Sequence, residues 1–76
     1  MCSLATLKPG QSGTITGMHF ERAFTFRLAA MGFRIGKHVQ VIRGALFSGP
    51  LHLRIGSTDI MLRKNEAQHI DVALTT

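Results

Sequence analysis

The stretch Arg27-Leu28-Ala29-Ala30-Met31-Gly32-Phe33-Arg34-Ile35-Gly36 decides how the rest of this chain is read. Its first half ends an amphipathic helix. Phe20, Phe24, Leu28 and Met31 fall at i, i+4, i+8 and i+11, which aligns them on one face of a 3.6-residue period. Glu21 in the first turn and Arg27 near the end both carry the sign that the helix dipole favours. Gly32 stands where a left-handed terminating residue belongs, because glycine has no Cβ to penalise positive φ. The spacing predicts a helix over about 20–31, with the stripe in the core and Phe26 off it and exposed. Phe33 and Ile35 are expected to pin the turn, and Gly36 to release the chain into an extended segment.

Beyond Gly36 the period drops to 2. Val39 and Val41, Leu51, Leu53 and Ile55, Ile60 and Leu62, and Ile70, Val72 and Leu74 each alternate with polar or outward residues, the pattern of half-buried strands. Turn signals separate them at Ser48-Gly49-Pro50 and Gly56-Ser57. A short helical turn is predicted near 65–68, with Asn65 as its N-cap. Ahead of the helix, Lys8-Pro9-Gly10-Gln11-Ser12-Gly13 reverses the chain and Thr14-Ile15-Thr16 reads as a first strand. About five short, one-sided strands must hide their edges. The fold predicted is mainly β, a small SH3-like barrel with one inserted helix, occupying residues 1–76 as a single domain; an open sheet with the helix laid across one face is the alternative.

Composition narrows the function. With 76 residues, 45% of them hydrophobic, the chain folds around one core and has little volume to give to a deep substrate pocket. The single cysteine, Cys2, excludes an intrachain disulfide and is expected to be a disordered terminal thiol. No apolar run is long enough to span a bilayer and no secretory signal is recognisable, so a cytoplasmic location is expected. Nine Lys and Arg against four carboxylates give a net charge of +5, which favours an acidic partner, although the basic residues are dispersed along the chain.

No nucleophile elbow and no phosphate-cradling glycine loop before a helix is present, so an enzyme is not expected. The histidines at 19, 38, 52 and 69 read as solvated, and none pairs with cysteine at ligand spacing. At most, His69 with Glu66 or Asp71 makes a weak two-ligand site for a divalent ion such as Fe2+ or Zn2+. Nucleic-acid binding fits the charge, but the chain has no Trp or Tyr, and three of its five Phe fall on the helix instead of a strand face where bases stack. Protein binding has the best local feature: Leu46-Phe47 forms an apolar pair in the connection 44–50, either folded back over the barrel mouth or offered to a partner, with Met61 outward on its strand. Arg34 and Lys37 complete the candidate partner-binding set.

The order of these motifs resembles the FeoA family. The resemblance rests on Leu7-x-Pro9-Gly10-x-x-Gly13-x-Ile15, Arg27-Leu28-x-x-Met31-Gly32-Phe33-x-x-Gly36, Gly49-Pro50-x-x-Leu53-x-Ile55 and Ile60-x-Leu62-Arg63-x-x-x-Ala67-x-x-Ile70-x-Val72. Gly13, Leu28, Met31, Gly32, Gly36 and Pro50 are its structural positions. The resemblance implies an SH3-like barrel serving bacterial ferrous iron uptake as a non-enzymatic adaptor. Its partner would be the cytoplasmic GTP-binding part of the FeoB permease, with no cofactor required. A similar domain ends some metal-dependent repressors, so a metal-sensing role and a nucleic-acid-binding barrel are the alternatives.

Overall fold

Residues 2–44 and 49–75 are described by a computed structural model. Helix α1 (Arg22–Ala30) ends with Met31 as its C-cap, and Gly32 follows at φ +103°. The Gly32 N–H donates to Ala29 O at 3.1 Å and the Phe33 N–H to Leu28 O at 2.9 Å. These two bonds form a Schellman closure, which satisfies carbonyls that the helix end would leave bare. Leu28 and Phe33, the residues this closure brings together, are both fully buried in one apolar cluster. The terminator acts as expected, and it plants the largest fully buried side chain of the core. Gly36, at φ +92°, then donates to Ile15 O at 2.8 Å and stitches the turn to the neighbouring strand.

The helix is shorter than the periodicity suggests. Glu21 is extended (φ −66°, ψ 159°), so Phe20 lies ahead of α1, its ring 4.8 Å from that of Phe24 and 5.6 Å from that of His69. Leu28 is fully buried, whereas Phe20 and Phe24 only flank the core. Met31 is 42% exposed, contrary to its place on the stripe. As the cap residue it sits where the chain leaves the helical path, and Phe33 takes the inward position. Ile35, at 68% exposed, does not pin the turn; Phe33 does so alone. Phe26 is exposed, as its angle on the helix requires.

The strands are β1 (Cys2–Ser3), β2 (Ser12–Met18), β3 (His38–Arg43), β4 (Leu51–Ile55), β5 (Thr58–Leu62) and β6 (Ile70–Leu74), all antiparallel in the order β1-β6-β2-β3-β4-β5. The sixth strand is the one the sequence reading lacks. Cys2 pairs with Val72 and Ser3 with Asp71, so Cys2 belongs to the sheet edge. β2 pairs with β3 at Ser12–Thr14 and with β6 from Gly13 to Met18, shifting register between Ile15 and Gly17; such a bulge bends the strand and lets the sheet curl. Inside the curl, a Cβ on Gly13 would stand 2.8 Å from Ala73 O, which leaves room only for glycine.

The two sheet edges close through helical pieces. β1 runs into a 3-10 turn (Leu4–Thr6), β5 into α2 (Lys64–Ala67), and these two contact each other, with Leu4 and Ala67 fully buried. α2 begins two residues earlier than Asn65 capping would give. Arg63 is its N-cap, because Glu66 Oε1 accepts from the Arg63 N–H at 3.1 Å and fixes the first turn there. Inward residues of β2 to β6 fill the interior, although Leu74, at the end of β6, is 48% exposed. No helix among the described residues is long and apolar enough to cross a membrane.

Removing the Phe33 ring is expected to cost about 3–5 kcal/mol, a large part of the stability of a chain this small. Urea unfolding of Phe33→Ala should show a large fall in midpoint, while Phe26→Ala should stay close to the parent. Equal effects would mean that Phe33 does not hold the helix end.

Candidate functional site

Outward residues of β3, β4 and β5 form one face of the barrel, in a register set by the turn at Gly56-Ser57. Ile55 opposite Thr58 places Arg54 opposite Asp59 and His52 opposite Met61; on the other side, Arg43 pairs with His52 and Gln40 with Arg54. Met61 is 58% exposed at the end of the row Arg43–His52–Met61. Asp59 organises the neighbouring row. Arg54 Nε donates to its Oδ1 at 2.7 Å, an Arg54 NH2 group donates to Oδ2 at 3.1 Å, and His52 Nε2 lies 3.0 Å from Oδ2. The Arg54 hydrogen bonds, then that of His52, lower the Asp59 carboxyl to about 2, and the same bonding raises the Arg54 guanidinium. A carboxylate held ionised in this way cannot serve as a proton shuttle near neutrality; it fixes the two side chains beside it.

A second pair sits on the other side of the sheet order. His19 Nε2 is 2.7 Å from Asp71 Oδ2, above Gly17, where a Cβ would come within 3.1 Å of that oxygen and 3.4 Å of the imidazole nitrogen. Gly17 thus leaves the space the pair occupies.

The candidate ligands of the sequence reading do not converge. Glu66 and His69 line one shallow cleft with Phe20, Glu21, Phe24 and Asn65, but Asp71 is engaged with His19. Among the described residues, no group of three or more His, Cys, Asp or Glu side chains is placed to hold a metal ion. The donors present fit a two-ligand surface site, not a closed tetrahedral one. Two of the four histidines expected to be merely solvated, His19 and His52, are held by aspartates.

The candidate partner-binding residues divide. Leu46 and Phe47 lie outside the described residues. Arg34 and Lys37 precede β3, whereas Met61 stands in the row of Arg43 at the strand's other end, ~17 Å away. The Arg34 Nε donates to Ala29 O at 3.3 Å, which ties this side chain to the end of α1. Lys37 O accepts from the Ile15 N–H at 2.9 Å, which leaves the Lys37 side chain exposed at the turn. Of the four described phenylalanines only Phe26 is exposed, and it lies on α1, so the described strand faces carry no phenylalanine for base stacking.

The Arg54–Asp59 pairing was readable in advance, since a two-residue turn at 56–57 dictates it. The His19–Asp71 pair was not, because it spans 52 residues and depends on the bulge in β2.

Comparison with known proteins gives consistent results. The FeoA domain model matches residues 2–74. A Campylobacter jejuni protein that carries the name Fe(2+) transport protein A is 28% identical over 95% of this chain and 97% of its own length. The crystal structure of Stenotrophomonas maltophilia FeoA complexed with zinc, described as a procaryotic SH3 domain protein, is 27% identical with a TM-score of 0.80, covering 96% of this chain and 91% of that one. A manganese-dependent transcriptional repressor shares the fold, with a TM-score of 0.86 at 23% identity over 97% of this chain and 41% of the repressor.

The Asp59 arrangement has a pH signature. Because the folded carboxyl titrates near 2, below the ordinary 3.8, its stabilisation is complete above about pH 4 and is lost as pH falls through 2. The difference in unfolding midpoint between the parent and Asp59→Asn should be flat from pH 7 to 5 and shrink between pH 4 and 2. A difference unchanged at pH 2 would mean that the ion pair is not formed in solution.

Proposed function

The chain belongs to the FeoA family, and from that premise we propose that it serves ferrous iron uptake as a non-enzymatic accessory protein, docking on the cytoplasmic GTP-binding part of a FeoB-type permease. The observation that carries this reading is the extent of the family match. It runs through all six strands and both helices, so what the family's domain does is done here by the barrel's surface. The name of the Campylobacter jejuni relative supports iron transport as the setting. Work on the cytoplasmic side agrees with the lone cysteine and with the reducing compartment it suits.

Docking uses exposed apolar anchors with charge around them. Met61 is the described anchor, and Leu46 and Phe47 are the others, with Arg34 and Lys37 accelerating encounter. The charge excess makes that encounter sensitive to ionic strength.

A second reading, direct binding of a divalent ion, is favoured by the zinc complex of the Stenotrophomonas maltophilia relative. In this chain it reduces to His69 with Glu66, two donors at the rim of one cleft, and therefore to weak binding.

The test is a pull-down on the immobilised cytoplasmic domain of the permease. The parent chain should be retained, while Met61→Asp and Leu46→Asp/Phe47→Asp should each weaken retention ~10-fold or more, as buried anchors do. Undiminished binding by both folded variants would sink this surface, and no binding by the parent would sink the reading itself.

A further inference from the structure

The dispersed basic residues of the sequence are gathered by the fold. Arg63 and Lys64 line a cleft with Asn65, Gln68 and Pro50. Lys64 also lines the adjoining cleft beside Lys8, Gly44 and Leu51, and a Cβ on Gly44 would come within 3.6 Å of the Pro9 ring. Arg43, exposed at the end of β3, precedes that glycine. Four of the nine Lys and Arg thus crowd one pole, around the start of α2 and the turn after Leu7. Among the described residues, none of the four is within salt-bridge distance of a carboxylate; Arg54 is the one Lys or Arg so paired. The carboxylate nearest in sequence, Glu66, is turned back on the Arg63 N–H and borders the cleft on the Phe20 and His69 side.

We propose that this pole binds an anionic phospholipid surface, so that the barrel rests on the membrane with Lys8, Arg43, Arg63 and Lys64 against lipid phosphates. The character of the pole selects the occupant. Its described residues include no aromatic ring on which a base could stack, which disfavours single-stranded nucleic acid. The exposed apolar residue nearest to it among those described is Met61, at its border in the row that ends at Arg43, and one such side chain is too little for a tight protein contact on the pole itself. What it offers is several long, solvated cations over one end of a small barrel, and mobile lipid headgroups can meet such groups without a fixed geometry. Each Lys or Arg near such a surface strengthens partitioning about five-fold, and the attraction fades within a Debye length. The inference does not depend on the permease, since it concerns lipid alone.

Co-sedimentation with vesicles of pure phosphatidylcholine, and of phosphatidylcholine with 30% phosphatidylglycerol, tests it. The parent should bind the anionic vesicles only, and release them as salt rises. Arg63→Glu/Lys64→Glu should lose roughly 30-fold or more. Arg22→Glu/Arg27→Glu on α1, which changes net charge by the same amount, should lose far less. Lys8→Gln/Lys64→Gln gives a milder version should the reversal impair folding. Four results would overturn the proposal: no binding to anionic vesicles at low salt, equal losses for the α1 and pole variants, displacement by inorganic phosphate beyond that by chloride at matched ionic strength, or tighter binding of a single-stranded oligonucleotide than of vesicles.

Discussion

The structure depends on the hydrogen-bonded closure at the end of α1. Two N–H groups, those of Gly32 and Phe33, return to the carbonyls of Ala29 and Leu28, and this geometry exists only because residue 32 can hold φ at +103°. The closure brings two large apolar residues, one from the last turn and one just past it, into the same core. A one-turn helical extension would have sent Phe33 elsewhere and taken the largest fully buried side chain out of the core. The nine-residue helix has a poor apolar face of its own, with Leu28 as its one buried residue, and so it is held by how it ends. Isolated helices of this length are not stable in water.

From that point the remaining geometry is sheet logic. The bulge in β2 lets one strand pair with β3 and β6, and the edges that would otherwise be open meet through the 3-10 turn and α2. Closure by helical turns avoids a full set of strand hydrogen bonds between β1 and β5, which two-residue β1 could not supply. The backbone groups at this seam are satisfied locally, by the Leu7 N–H on Leu4 O and by the Glu66 carboxylate on the Arg63 N–H.

The alternating strands and the glycine stop were legible because they follow from local periods and from one steric rule. Met31 continues the helical stripe one step past the point where the backbone leaves the helical path, and periodicity carries no information about where a path ends. Leu74 keeps the strand period but is the last residue of β6, where the barrel no longer covers it. β1 was missed because two residues show no period, and Cys2 acquires its neighbours only from β6, some 70 positions away. For the surface, charge is legible as a total and not as a location: Lys8 and Lys64 share a cleft that 55 residues of intervening chain conceal.

These placements constrain how the barrel can be used. Met61 stands two residues from Arg63, in the row that ends at Arg43, so the described apolar anchor borders the basic pole. Arg34 and Lys37 are at the far end of β3. With the pole against lipid, Met61 lies close to the membrane plane and Lys37 about a strand length above it. On the proposed docking residues, a partner domain would then stand alongside the barrel, over the outward face of β3, β4 and β5. Asp59 sits on that face with its charge already committed to Arg54 and His52, so it does not repel an acidic partner as a free carboxylate would.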